Sequence, residues 1–110
     1  MGAFAKGSVV IVRFPFTDLS SMTVRPAIVV QNLPGDDMIL CMVTSQMARD
    51  ADAIPLDNHD FAQGTIHKPS NIRPNRLFTG ANGLVDYQAG VLTQTKMDAV
   101  TSAIVAILQR

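Results

Sequence analysis

Apolar residues in this 110-residue chain fall into short runs, and each run is closed by glycine, proline or a polar turn. Short runs rich in Val and Ile are typical of β-strands. The strongest predicted strands are 8–14, 25–31 and 38–44. Strand 38–44 has apolar residues on both of its faces, which indicates a central strand. Pro26 has no N–H and is therefore expected at a strand start or an edge. Weaker patterns predict an edge strand at 54–56, a loop at 57–64 and strands at 66–73, 76–79 and 83–87.

Helical spacing occurs only at the end of the chain. The apolar residues there recur three or four positions apart, and Thr95 followed by Asp98 resembles a capping box that would start the helix. The helical positions are Met97, Val100, Ile104, Ile107 and Leu108. Short strands followed by one helix favour a mainly β fold, either a small barrel or a strongly curled sheet. With no internal repeat, we expect residues 1–110 to form a single domain.

Charge is balanced over the whole chain but is unevenly distributed. Nine Lys and Arg offset nine Asp, so no global basic signature of a nucleic-acid binder exists. Between Asp60 and Asp86 there is no acidic residue at all. That interval contains His67, Lys68, Arg73 and Arg76. A small site for an anion and an ordinary solvated strand face both fit this pattern.

The cysteine and histidine residues disfavour a disulfide, a reactive thiol and a structural zinc site. Cys41 is the only cysteine and lies in an apolar run, which predicts a buried thiol and no intramolecular disulfide. His59 and His67 lack the ligand spacing of a structural zinc site. We therefore expect neither a metal nor another cofactor. No signal-like or membrane-length apolar segment is present, so the expected compartment is the cytoplasm.

Five sequence blocks occur in an order that is typical of one known family. They are 7–18 (Gly-Ser-Val-Val-Ile-Val, then Phe-Pro-Phe-Thr-Asp), 25–30 (Arg-Pro-Ala-Ile-Val-Val), 43–46 (Val-Thr-Ser-Gln), 68–73 (Lys-Pro-Ser, then Ile-Arg) and 90–92 (Gly-Val-Leu). Through these blocks the chain resembles the MazF/PemK (also called Kid) family of toxin endoribonucleases. The Arg-Pro-Ala and Thr-Ser-Gln blocks are the more specific of the five.

The resemblance implies a fold, an activity and partners. The implied fold is a small SH3-like barrel of the CcdB/PemK type with a C-terminal helix, working as a homodimer. The implied activity is metal-independent cleavage of single-stranded RNA, which stops growth by destroying messenger RNA. The implied protein partner is a cognate antitoxin, whose disordered tail folds as it covers the toxin's RNA groove.

The family's catalytic residues can be carried over only where the motif matches. The Arg of the Arg-Pro block and the Thr after the third strand correspond to Arg25 and Thr44. A guanidinium matches phosphate oxygens but stays protonated, so Arg25 would stabilise charge and the general base is unidentified. Arg73 matches a basic residue that some members use, but Asn75 replaces an acid and Thr17 replaces a histidine of that mechanism. Arg73 is therefore predicted mainly to position a phosphate.

Five further residues are candidate RNA contacts. They are Phe16, Ser45, Gln46, Lys68 and Ser70. An exposed Phe16 would stack on a splayed base, although an aromatic residue after proline is as often part of the core. The alternative function is a non-catalytic SH3-like module that binds nucleic acid or inhibits a protein such as gyrase, as the structurally related CcdB toxins do.

Overall fold

The computed structural model describes residues 3–15, 22–46 and 49–110. Within these residues, seven strands and one α-helix form the fold, and two short 3-10 turns lie at 58–60 and 82–84. The strands are β1 (Ser8–Pro15), β2 (Met22–Asn32), β3 (Asp37–Thr44), β4 (Ile54–Leu56), β5 (Phe61–Gly64), β6 (Ser70–Ala81) and β7 (Val85–Leu92), and the helix is α1 (Gln94–Gln109).

All seven strands belong to one antiparallel sheet, which curls into a half-barrel. The strand order is β4-β6-β3-β2-β1-β7-β5. β3 lies between β2 and β6, and β4 lies at an edge, as the sequence predicts for both strands. The mainly β fold with one closing helix is confirmed.

The two faces of the sheet each bury a separate core. One core packs strand residues such as Val9, Ile28 and Val43 against α1, whose Met97, Val100 and Ile104 are buried. The other core lies on the opposite face and consists of Val10, Val12, Ala27, Val29, Met38 and Leu40. Adjacent residues on one strand enter different cores because successive side chains of a strand point to opposite faces. The middle segments of β1, β2 and β3 are therefore apolar on both faces.

Several predicted boundaries between loops and strands are wrong. Residues 61–64, predicted as loop, form β5, because tertiary pairing with β7 compensates for a weak strand pattern. The predicted strand at 66–73 begins only at Ser70, since Pro69 cannot donate a ladder hydrogen bond. Instead of ending at Arg73, β6 continues to Ala81, and a register shift opposite Cys41 and Met42 absorbs the irregular residues.

The N-cap of the helix lies two residues before the predicted N-cap, Thr95. Thr93 is the N-cap, and its hydroxyl accepts a hydrogen bond from the N–H of Lys96 at 3.2 Å. Thr93 also donates its N–H to the carbonyl of Asp60, so tertiary structure selects it over Thr95. Leu108, predicted on the apolar face, is 73% exposed. No helix in the described part of the chain is long and apolar enough to cross a bilayer.

Candidate functional site

A groove of about 360 Å³ opens where β2 begins and β3 ends. Pairing of β2 with β3 starts only at Ala27 opposite Met42, whereas β2 pairs with β1 from Met22 onward. The first residues of β2 therefore lack a β3 neighbour. Pro26, which cannot donate a hydrogen bond, lies in this stretch, so it is inside β2 but at a local edge. We call this cavity the Arg25 groove.

Residues from five separate segments line the Arg25 groove. They are Ile11, Val24, Arg25, Pro26, Val43, Thr44, Ser45, Ile66, His67, Lys68, Ser70 and Tyr87. Arg25 and Lys68 are its cations, and no aspartate is among the described lining residues. The lining is thus positively charged in a chain with no net charge. Such a surface suits an anionic ligand.

Thr44 presents an oriented hydroxyl at the end of β3. Its Oγ1 accepts a hydrogen bond from the N–H of Gln46 at 3.1 Å. A hydroxyl has two acceptor positions and one donor, so this bond does not use the hydroxyl proton. Thr44 can therefore donate to a ligand oxygen while the turn after β3 holds it in place.

The loop between β5 and β6 forms one wall of the groove and is held near both ends. The N–H of Ile66 donates to Asn58 Oδ1 at 2.8 Å. Ser70 Oγ donates to the carbonyl of Lys68 at 3.0 Å. At the start of the loop, Gly64 has a φ of +82°, a conformation that favours glycine. These constraints fix the backbone that carries His67 and Lys68.

Half-exposed apolar side chains supply another part of the lining. Tyr87 is 50% exposed and Val24 is 48% exposed. Tyr87 lies opposite Ile11 in the pairing of β1 and β7. A second cavity of about 200 Å³ shares Ile11, Ile66, His67 and Tyr87 with the groove, so the two cavities adjoin. Exposed aromatic and aliphatic surface of this kind offers a platform for a planar ring.

Five of the predicted site residues converge on this groove. They are Arg25, Thr44, Ser45, Lys68 and Ser70. Ser70 is only 6% exposed, and its hydrogen bond to Lys68 gives it a part in holding the loop. Gln46 is exposed but does not line the groove. Phe16 lies outside the described residues.

Arg73 lies in a different place from Arg25. It lines a separate cavity of about 710 Å³, and its Nε donates to Asp50 Oδ2 at 3.1 Å. Asn75 also donates to Asp50. The N–H of Asp52, followed by Arg73 and Asn75, holds the pKa of the Asp50 carboxyl below its ordinary value. A carboxylate thus lies beside Arg73, although the sequence places an amide two positions after it.

Cys41 is buried, as predicted. Burial raises the pKa of its thiol to about 12. The thiol donates a hydrogen bond to the carbonyl of Arg73. A thiol held protonated inside a core is a poor nucleophile. Among residues 3–15, 22–46 and 49–110, no three His, Cys or Asp side chains are grouped closely enough to hold a metal ion.

Comparison with known proteins identifies the family of the chain. Residues 5–108 match the model of a family described as a PemK-like, MazF-like toxin of type II toxin–antitoxin systems. The chain belongs to this PemK-like toxin family. The family resemblance inferred from the five sequence blocks is therefore confirmed.

Solved structures share the fold of this PemK-like toxin at low sequence identity. A mycobacterial endoribonuclease in complex with its cognate antitoxin superposes with a TM-score of 0.75 at 14% identity, covering 99% of this chain and 96% of the other. Another mycobacterial endoribonuclease gives 0.73 at 16% identity, with coverage of 99% and 94%. The Mycobacterium tuberculosis toxin MazF-mt6 gives 0.72 at 15% identity, with coverage of 93% and 96%. Comparison with curated protein sequences found no match.

Two groove residues with functional side chains, His67 and Tyr87, were not predicted from the sequence. Tyr87, the only tyrosine, falls in a weakly patterned strand, and its exposure is a tertiary property. His67 lies in the basic interval and lacks the spacing of a zinc ligand, but the sequence alone does not single it out as a site residue. Its position next to Lys68, in the interval without acids, was the available signal.

Proposed function

We propose that this PemK-like toxin is an endoribonuclease that cleaves single-stranded RNA without a metal ion. The observation that carries the proposal is the meeting of Arg25, Thr44 and Lys68 in one groove, although they come from three distant segments. A guanidinium, a hydroxyl and an ammonium around one cavity match the donors that a phosphodiester needs.

The proposed reaction uses the RNA's own 2′-hydroxyl as nucleophile. Its oxygen attacks the neighbouring phosphorus, and the bond to the 5′ oxygen breaks. Arg25 neutralises the charge that grows on the phosphate oxygens, and the Thr44 hydroxyl donates a hydrogen bond to one of these oxygens. Both donors are held by the sheet before the substrate arrives, which is the condition under which such stabilisation is strongest.

Substrate binding would use the remainder of the groove. Lys68 and Ser45 line the groove. In this proposal Lys68 attracts the backbone phosphates, and Ser45 makes a polar contact with a base edge. Tyr87, with Ile11 beside it, offers a surface on which an unpaired base can stack. Phe16, Gln46 and Ser70 remain predicted RNA contacts, and Arg73 remains a predicted phosphate-positioning residue.

The biological setting is part of the same proposal. As in the mycobacterial endoribonuclease in complex with its cognate antitoxin, a cognate antitoxin would bind this toxin. We place the toxin in the cytoplasm, where messenger RNA is available, as a homodimer of a single 1–110 domain.

The direct test incubates the pure protein with labelled single-stranded RNA in excess EDTA. We expect cleavage that leaves a 2′,3′-cyclic phosphate and a 5′-hydroxyl, and RNA with a 2′-deoxy substitution at the cut site should survive. Activity that disappears on chelation and returns with magnesium would overturn the metal-independent mechanism. RNA that is bound but never cut would instead favour the non-catalytic module.

A further inference from the structure

His67 occupies the junction of the two adjoining cavities. It lines both the Arg25 groove and the 200 Å³ cavity beside it. Its side chain is exposed, so a ligand in either cavity can reach it. The other histidine, His59, is 94% exposed and lines neither cavity. Of the two histidines, only His67 therefore lies where it can contact a ligand in the groove.

The backbone around His67 is held on both sides. The preceding residue, Ile66, donates its N–H to Asn58, and the following residue, Lys68, has its carbonyl bonded by Ser70. These bonds fix where the Cβ of His67 lies, and they therefore limit the region of the groove that its imidazole can reach. A group that transfers a proton must be able to lie within hydrogen-bonding distance of that proton.

The groove otherwise lacks a good proton acceptor among its described residues. Its other charged or titratable groups are Arg25, Lys68 and Tyr87. Guanidinium and ammonium groups are donors without an acceptor atom, and a phenol keeps its proton near neutral pH. An imidazole, by contrast, exchanges its proton between pH 5 and 8. His67 is thus the lining residue whose chemistry suits removal of a proton from a hydroxyl.

We propose that His67 is the general base of the cleavage reaction, an inference that rests on the proposed ribonuclease function. Its neutral imidazole takes the proton of the RNA 2′-hydroxyl as that oxygen bonds to phosphorus. The bond to the 5′ oxygen breaks, and this oxygen takes a proton from water in the open groove. The imidazolium then returns its proton to the hydroxide, so the products are a cyclic phosphate and a 5′-hydroxyl with no net change in protons.

The test compares His67→Gln with the matched control His59→Gln in single-turnover cleavage of one short RNA. Affinity is measured separately with the same RNA carrying 2′-O-methyl groups, which cannot react. Loss of a general base typically slows a reaction by about a hundred- to ten-thousand-fold. We expect a loss in that range for His67→Gln, with RNA affinity within a few-fold, and parental rates for His59→Gln. Circular dichroism should show that both variants keep the parental fold.

A pH profile separates proton transfer from binding. The parent's cleavage rate should rise with pH and then level off, as expected for a reaction that needs a group in its basic form. His67→Gln should lack that rise, and added imidazole should restore part of the activity of His67→Ala. If His67→Gln cleaves RNA at the parental rate, or loses affinity and rate equally, His67 is not the general base. The ribonuclease proposal would still stand in that case. Absence of cleavage by the parent would overturn the ribonuclease proposal itself, and this inference with it.

Discussion

Arg25 belongs to the sheet through its backbone and also lines the Arg25 groove. It pairs with Val12 of β1, and it lies in the stretch of β2 that has no β3 neighbour. The strand therefore supplies a rigid base for the side chain, while the missing neighbour leaves room for a ligand. A rigid attachment matters because a misplaced donor loses most of its effect on a transition state.

Arg25→Lys should reduce single-turnover RNA cleavage by about a hundred- to a thousand-fold, the usual cost of removing a preorganised donor. Lysine keeps the charge but loses the planar fork that matches a phosphate, so RNA affinity should stay within a few-fold. The melting temperature should change little. Arg110→Lys, outside both this groove and the cavity of Arg73, is the matched control and should cleave normally. A wild-type rate for Arg25→Lys would make Arg25 an ordinary surface residue.

Thr44→Val removes a hydroxyl at nearly constant volume and should also slow cleavage. The loss should be smaller than that of Arg25→Lys, because a water molecule can replace the missing donor. Thr44→Ser keeps the hydroxyl that the N–H of Gln46 orients and should retain most of the activity. If Thr44→Ser and Thr44→Val are equally slow in the same single-turnover assay, the hydroxyl is not the functional group.

The pairing of β5 with β7 shows how one element positions the groove wall. Gly64 lies opposite Gly90 in this pairing, and the two backbones approach so closely that a Cβ on Gly64 would overlap the Ala89 carbonyl. Gly64 also has a φ of +82°. The loop with His67 follows directly, so the geometry of β5 sets where that wall stands.

Gly64→Ala should therefore destabilise the protein through both strain and overlap. The backbone conformation alone costs roughly 1–3 kcal/mol for a residue with a Cβ. Gly35→Ala isolates that strain, since Gly35 has a φ of +79° but open space around it. Gly83→Ala has neither problem and serves as the control. In urea unfolding we expect the largest loss for Gly64→Ala, and equal losses for Gly64→Ala and Gly35→Ala would contradict the close approach.

At the scale of the whole molecule, the chain leaves apolar surface uncovered. Leu77, Val105 and Leu108 are exposed, and a chain of 110 residues has limited capacity to bury its own surface. Self-association is the common way for such a chain to gain stability. Together with membership of the PemK-like family, this supports the homodimer as the working unit.

Sedimentation velocity at micromolar concentration should accordingly give twice the 11.8 kDa mass of the chain. Dilution should lower RNA cleavage per chain once the dimer dissociates. A species that sediments only as a monomer and still cleaves RNA at full rate would contradict the dimer. An inactive variant, Arg25→Lys, should sediment like the parent, because its substitution lies in the groove.

The amino-acid sequence by itself determined the local and the strongly patterned features. Dense Val and Ile runs specify β1, β2 and β3 because their burial is required on both faces of the sheet. The spacing of Met97, Val100 and Ile104 likewise specifies a terminal helix. The five sequence blocks were sufficient to indicate the family, because together they span most of the chain in the family's order.

Only the tertiary structure decided where weakly patterned segments go and which polar residues meet. Residues 61–64 become a strand because β7 is available to pair with them, and Thr93 caps the helix because Asp60 accepts its N–H. In the same way, Arg25 and Arg73 are both predicted to act on a phosphate, but they line different cavities. His67 reaches the Arg25 groove because Asn58 and Ser70 hold its loop. Long-range contacts set these outcomes, and a pattern read along the chain contains no information on which distant segments will be neighbours.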